Sequence, residues 1–128
     1  MKLMVSLISL IHCNAGSSGK RLEKTLRERF FNLEFEFYDS NGSLYERLCQ
    51  PSRYREYEIY ILLADTRERL EKLMDLGKLL DGKRLVLIVP GNDKKLLSMG
   101  HRLLPRYLSA ETENFEELVL VLEKMIKV

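Results

Sequence analysis

Apolar segments alternate along the chain with segments in which apolar residues recur every three or four positions. The apolar segments are residues 3–11, 33–38, 59–64, 85–89 and 107–109. Continuous or alternating apolar runs of this length are typical of strands, whereas a spacing of three or four is typical of amphipathic helices. The pattern therefore predicts five strands, each followed by a helix.

Capping and breaking residues predict where the helices begin and end. Ser17 or Ser18 can cap the first helix, and Thr66 can cap the third. The third helix is expected to continue to Gly82, and the fourth, whose apolar stripe includes Leu103 and Leu104, to Pro105. Acidic residues at the start of the last helix and lysines at its end suit the helix dipole.

The order of the elements restricts the fold. Strands separated by helices pair in parallel through right-handed crossovers. We therefore predict a single α/β domain over residues 1–128, with a flavodoxin-like, doubly wound (βα)5 architecture. Its five-stranded parallel sheet is expected to have the order 2-1-3-4-5. A chain of 128 residues is long enough to bury one good core.

Charge and cysteine content limit the partners. The 21 basic and 19 acidic residues give a net charge of only +2, and the basic residues are scattered, so a nucleic-acid partner is not expected. The tyrosines and arginines of residues 53–60 are interpreted as packing groups rather than a base-stacking surface. Two cysteines favour a reducing cytoplasm. Residues 3–11 are too few to span a membrane, so no membrane partner is predicted.

In open α/β sheets, ligands bind where the strands end, beside the switch in strand order. The polar residues expected at this rim are His12, Asn14, Ser17, Ser18, Asp39, Asp65, Asn92 and Asp93. Acids at loop starts are ordinarily caps and turn residues, so these carboxylates do not predict a metal site. A flavin cofactor would need an aromatic side chain to cover it, and the loop after the fourth strand has none. We therefore predict no metal and no cofactor.

In length and element order the whole chain resembles a response-regulator receiver domain. The closest local match is Tyr107-Leu108-Ser109-Ala110-Glu111, followed by Phe115-Glu116-Glu117-Leu118. Receivers carry a similar segment before their last helix. The resemblance implies the flavodoxin-like fold and a role in signal transduction.

The residues that receivers use for phosphorylation are mostly missing. No carboxylate pair follows the first strand, and Asp65 falls about two residues later than the receiver pattern places its phosphoacceptor. Val89-Pro90 stands where a receiver has serine or threonine, and Ala110 where it has lysine. The resemblance therefore implies a phosphorylation-deficient receiver that binds other proteins and is not expected to be an enzyme.

An alternative hypothesis assigns chemistry to Cys13. The loop of residues 13–19 resembles the cysteine loop of phosphotransferase-system IIB domains, in which a thiolate carries a phosphoryl group. A thiol at a helix N-terminus has a lowered pKa, and backbone N–H groups there can hold phosphate. The sequence leaves this hypothesis open beside an incidental cysteine in a capped turn.

The last helix predicts an interaction surface. Residues 118–122 are consecutively apolar, and five such residues surround a helix completely. Phe115, Leu118, Leu122 and Met125 are expected to face the sheet. Val119 and Leu120 would then lie on an exposed patch, close to Tyr107 of the fifth strand. We predict that this patch binds a protein partner, which can be a second copy of the chain.

Overall fold

Strands and helices alternate in the computed structural model, which describes residues 7–12, 17–31, 33–38, 41–50, 58–110 and 115–126. The described strands are β1 (Leu7–His12), β2 (Glu34–Tyr38), β3 (Glu58–Leu63), β4 (Arg84–Val89) and β5 (Tyr107–Ala110). The described helices are α1 (Ser17–Arg29), α2 (Asn41–Cys49), α3 (Arg67–Met74), α4 (Gly77–Leu80), α5 (Lys94–His101) and α6 (Glu116–Ile126).

The strands form one parallel sheet. β1 pairs with β2 on one side and with β3 on the other, β3 continues to β4, and β4 to β5. The order across the described strands is β2-β1-β3-β4-β5. The predicted α/β architecture, with parallel strands separated by helices, is confirmed.

The predicted third helix is in fact two helices. Backbone N–H groups of Asp75 and Leu76 bond to carbonyls only three residues earlier, and such bonds tighten and end a helix. The chain then turns and restarts as α4 at Gly77. Leu76 and Leu80 are buried on either side of the break. The apolar pattern therefore predicted their burial correctly but did not reveal that the helix is interrupted.

Helices α1 and α6 cover one face of the sheet. Their buried side chains meet the odd-numbered residues of β3 and the even-numbered residues of β4. The buried cluster contains Leu22, Leu26, Phe30, Ile59, Ile61, Leu63, Val86, Ile88, Phe115, Leu118, Val119 and Leu122. Alternate residues of one strand point to opposite faces, so the same strands contribute to a second cluster.

Helices α2 to α5 cover the other face. The second cluster contains Leu44, Leu48, Tyr60, Leu62, Ala64, Leu70, Leu73, Leu76, Leu80, Leu85, Leu87, Val89, Met99 and Leu103. Helix α5 lies close to the strands at Gly100, where an added Cβ would come within 2.8 Å of Leu108 Cδ1. A glycine at this position therefore permits the close approach.

The end of α5 departs from the prediction. The helix ends at His101, and Leu104 lies beyond it with φ of 56°. Leu104 is 76% exposed, so it does not belong to the buried stripe to which its spacing assigned it. Leu103 is buried as expected.

Candidate functional site

At the carboxyl edge of the sheet, the described polar rim residues follow β3 and β4. The carboxylate of Asp65 makes an ion pair with Arg69, one turn into α3. Thr66 caps that helix, as predicted, and its Oγ1 accepts a hydrogen bond of 3.2 Å from Arg69 N. Asp65 is therefore held by its own helix.

Asn92 and Asp93 are exposed in the loop after β4. Asp93 is the N-cap residue of α5, but its side chain makes no capping hydrogen bond. These two residues and Asp65 lie on neighbouring strand ends, as the sequence predicted.

The rest of the predicted rim is described less completely. His12 ends β1, while Ser17 and Ser18 are the first residues of α1 rather than residues that precede it. For these three the structure describes the backbone position only. Asn14 and Asp39 lie outside the described residues, and so does Cys13, so the hypothesis that Cys13 carries a phosphoryl group stays a hypothesis.

The strand ends that a receiver uses for phosphorylation carry apolar residues here. Leu63 ends β3 and Val89 ends β4, and both side chains are buried. Ala110 ends β5. Within the described ranges, no three histidine, cysteine, aspartate or glutamate side chains are grouped closely enough to hold a metal ion.

A basic groove lies beside this edge, between α3 and α5. It has a volume of about 460 Å³ and is lined by Arg67, Lys94, Lys95, Ser98, Met99 and Arg102. Sequence reasoning missed it. The recurrence of Lys94, Ser98 and Arg102 every four residues, along α5 and at its C-cap, is visible in the sequence. The position of Arg67 beside them depends on the packing of α3 on α5.

A second feature that sequence reasoning missed is a group of charged and phenolic side chains beneath α2, which we call the Arg47 cluster. Arg47 Nε donates to Glu36 Oε1 at 2.9 Å, and its Nη2 donates to Glu58. Tyr60 donates to Glu58 Oε1 at 2.9 Å, and Tyr38 donates to Glu36. Glu58 is only 1% exposed.

Burial and neighbouring carboxylates perturb the phenols of the Arg47 cluster. Burial is the largest cause that raises the pKa of Tyr60, followed by the negative charge of Glu58. Burial also raises the pKa of Tyr38, and the hydrogen bond to Glu36 adds to it. Burial lowers the pKa of Arg47, but its hydrogen bonds to Glu58 and Glu36, together with the electrostatic effects of Tyr60 and Glu36, raise this pKa overall. These shifts all favour the protonated forms, and the cluster joins α2 to the sheet.

The predicted interaction patch on α6 is corrected at one residue. Val119 is fully buried, whereas Leu120 is 56% exposed. The buried residues Phe115, Leu118, Val119 and Leu122 follow the spacing i, i+3, i+4, i+7, which is the usual stripe of a helix on a sheet. The helix is thus rotated toward Val119 relative to the prediction.

Tyr107 of β5 is partly buried, and its hydroxyl donates to Glu117 Oε1 of α6 at 2.9 Å. Burial is the main cause that raises the pKa of Tyr107, and the hydrogen bond to Glu117 adds to it. Leu120 therefore remains as the exposed apolar residue of the predicted patch, whereas the hydroxyl of Tyr107 is hydrogen-bonded within the fold.

No protein-family model, curated protein or solved structure matches this chain. The resemblance to receivers accordingly depends on the residues quoted above. Among the helices that the structure describes, none is both long and apolar enough to cross a membrane.

Proposed function

We propose that the chain is a flavodoxin-like, doubly wound domain that resembles a phosphorylation-deficient receiver and acts by binding proteins, including a second copy of itself. The strand order and the helices on both faces of the sheet support the fold assignment. The apolar ends of β3, β4 and β5 support a role without phosphoryl transfer, because that chemistry needs charged groups around the phosphate.

The observation that carries the proposal is the exposure of Leu120. The opposite side of α6 is fully used in packing against the sheet, so Leu120 has no role in that core. A leucine that is 56% exposed on a helix bordering the edge strand β5 offers apolar area to a partner.

Leu104 is a second exposed leucine next to the edge strand β5. It lies in the loop that leads into β5, is 76% exposed, and has a positive φ. A left-handed conformation costs a residue other than glycine roughly 1–2 kcal/mol, and exposure of a leucine gives no compensating burial. Both its backbone conformation and its exposure to water are unfavourable for Leu104 in the isolated chain. We expect such a residue where its side chain is buried against a partner.

Sedimentation velocity at tens of micromolar protein tests the proposal. We expect the wild-type chain to self-associate and the Leu120→Lys and Leu104→Lys variants to shift toward monomer, because a buried lysine would oppose the contact. The matched control is Phe31→Lys. Phe31 is 84% exposed and lies just after α1, which ends at Arg29. An unchanged distribution for this variant would show that the contact is specific to Leu120 and Leu104, whereas an equal shift would show that any exposed apolar side chain produces it. A wild-type chain that is monomeric throughout this range would overturn the self-association proposal.

A further inference from the structure

The basic groove between α3 and α5 has an unusual balance of charge. Four of its six lining residues are cationic, and none is acidic. Lys94, Lys95 and Arg102 make no ion pair with any residue that the structure describes, and Arg67 makes only an exposed pair with Glu71 at 3.7 Å. For a chain with a net charge of +2, this is a local concentration of positive charge.

A second groove on the same molecule shows that this balance is not general. It has nearly the same volume, about 440 Å³, and runs along α1. Its lining residues are Lys20, Glu23, Lys24, Arg27 and Glu28, and Arg27 pairs with Glu23 at 3.1 Å. The three cations there alternate with two acids on the same helix, as is typical of a solvated helix face.

The shape of the basic groove favours an extended ligand. Lys94 and Arg102 lie eight residues apart, which is about 12 Å along a helix. A single phosphate would meet only part of this length, whereas an extended peptide of about four residues spans it at about 3.3 Å per residue. The groove also offers Ser98 as a hydrogen-bonding group and Met99 as an apolar contact.

We propose that the groove lined by Arg67, Lys94, Lys95 and Arg102 binds an acidic peptide segment of a partner protein. Carboxylates at successive positions of such a segment would pair with the cations along α5. A single-stranded nucleic acid fits less well, because its binding depends on aromatic side chains for base stacking, and none lines the groove. The inference rests on the proposed protein-binding role but uses a surface other than Leu120.

Fluorescence anisotropy tests the proposal. The measurement is made at about 0.15 M salt, where charges more than about 8 Å apart are screened, so that binding reports close contacts and not the overall charge of the chain. The probe is a fluorescein-labelled peptide of about six glutamates, and the comparison peptide has glutamines instead. We expect the glutamate peptide to bind and the glutamine peptide not to bind. The double substitution Lys94→Glu with Lys95→Glu should weaken binding about tenfold or more.

The matched control is the double substitution Lys20→Glu with Lys24→Glu, which changes net charge equally in the second groove. It should leave the affinity within about twofold. Equal weakening by both double variants, or equal binding of the two peptides, would overturn the proposal. Tighter binding of an oligothymidylate of equal charge would also overturn it, in favour of a nucleic-acid site.

The Leu120→Lys variant separates this inference from the self-association proposal. Its affinity for the glutamate peptide should equal that of the wild type. If the chain is monomeric but binds the peptide through Lys94 and Lys95, only the self-association proposal fails. If it self-associates but does not bind the peptide, only the present inference fails.

Discussion

On the face covered by α1 and α6, the buried side chains that the structure describes are all hydrophobic. On the face covered by α2 to α5, the same sheet also carries the Arg47 cluster, with two carboxylates, one guanidinium and two phenols. The first face is stabilised by removal of apolar area from water, which is insensitive to the exact angles between side chains. The second face also depends on hydrogen-bond geometry.

The difference matters because buried ion pairs contribute asymmetrically. The desolvation of two charges offsets much of their attraction, so an intact pair adds little to stability. Removal of one partner leaves the other charge buried without compensation. The Arg47 cluster is therefore expected to specify how α2 sits on the sheet more than to add free energy of unfolding, and this expectation can be tested.

The largest effect is expected for Arg47→Met. It removes the guanidinium that pairs with Glu58, which is almost fully buried, and should lower the free energy of unfolding by about 3–5 kcal/mol. Urea unfolding measures this change. The double variant Arg47→Met with Glu58→Gln should recover part of the loss, because the neutral amide can still accept from Tyr60.

The control for this prediction comes from the other face. Arg29 pairs with Glu116 at 2.8 Å, and both side chains are largely exposed. Arg29→Met should cost no more than about 1 kcal/mol, as is usual for exposed pairs. Equal losses for Arg47→Met and Arg29→Met would show that burial does not distinguish the two pairs, contrary to the comparison above.

A smaller effect is expected on the apolar face, at the residue where the prediction from sequence was wrong. Val119→Ala removes two methyl groups from a fully buried position and should cost about 2 kcal/mol. Leu120→Ala on the same helix should change stability by no more than about 0.5 kcal/mol, because Leu120 is exposed. Thermal or urea unfolding of the two variants decides whether α6 is oriented as described. Similar losses would mean that Leu120 is covered.

The apolar strands could be predicted because burial of a strand on both faces requires a run of apolar residues, whatever its neighbours are. Val119 could not be placed in the same way. Residues 118–122 are apolar all round, so the spacing of Phe115, Leu118 and Leu122 indicated the buried side of α6 but not that it extends to Val119. That depends on where Phe115 and the neighbouring strands place the helix.

The polar features were missed for a related reason. Glu58 opens a strand whose other residues are apolar, but it precedes the apolar segment 59–64 from which that strand was predicted, and nothing in that segment indicates that Glu58 is buried. Its burial becomes intelligible only when α2 places Arg47 above it. The basic groove likewise needs α3 beside α5. Local sequence patterns carry no information about contacts between elements that are distant in the sequence.

The effect most specific to the polar face is the change in pH dependence expected for Tyr60→Phe. The pKa of Tyr60 and that of Tyr38 are raised above the ordinary value of about 10. Their phenols are protonated at neutral pH in both the folded and the unfolded chain, so the shifts contribute nothing there. Above about pH 10 the unfolded chain loses these protons while the folded chain retains them, and stability falls as the pH rises toward the folded-state values.

Urea unfolding at a series of pH values should therefore show that the free energy of unfolding falls with pH above pH 10, and that it falls less steeply in Tyr60→Phe. Tyr107 lies on the other face, and its hydroxyl is less buried, so Tyr107→Phe should flatten the slope less. An alkaline slope that is the same in the wild type and in Tyr60→Phe would show that the phenol of the Arg47 cluster is not held protonated by its burial beside Glu58.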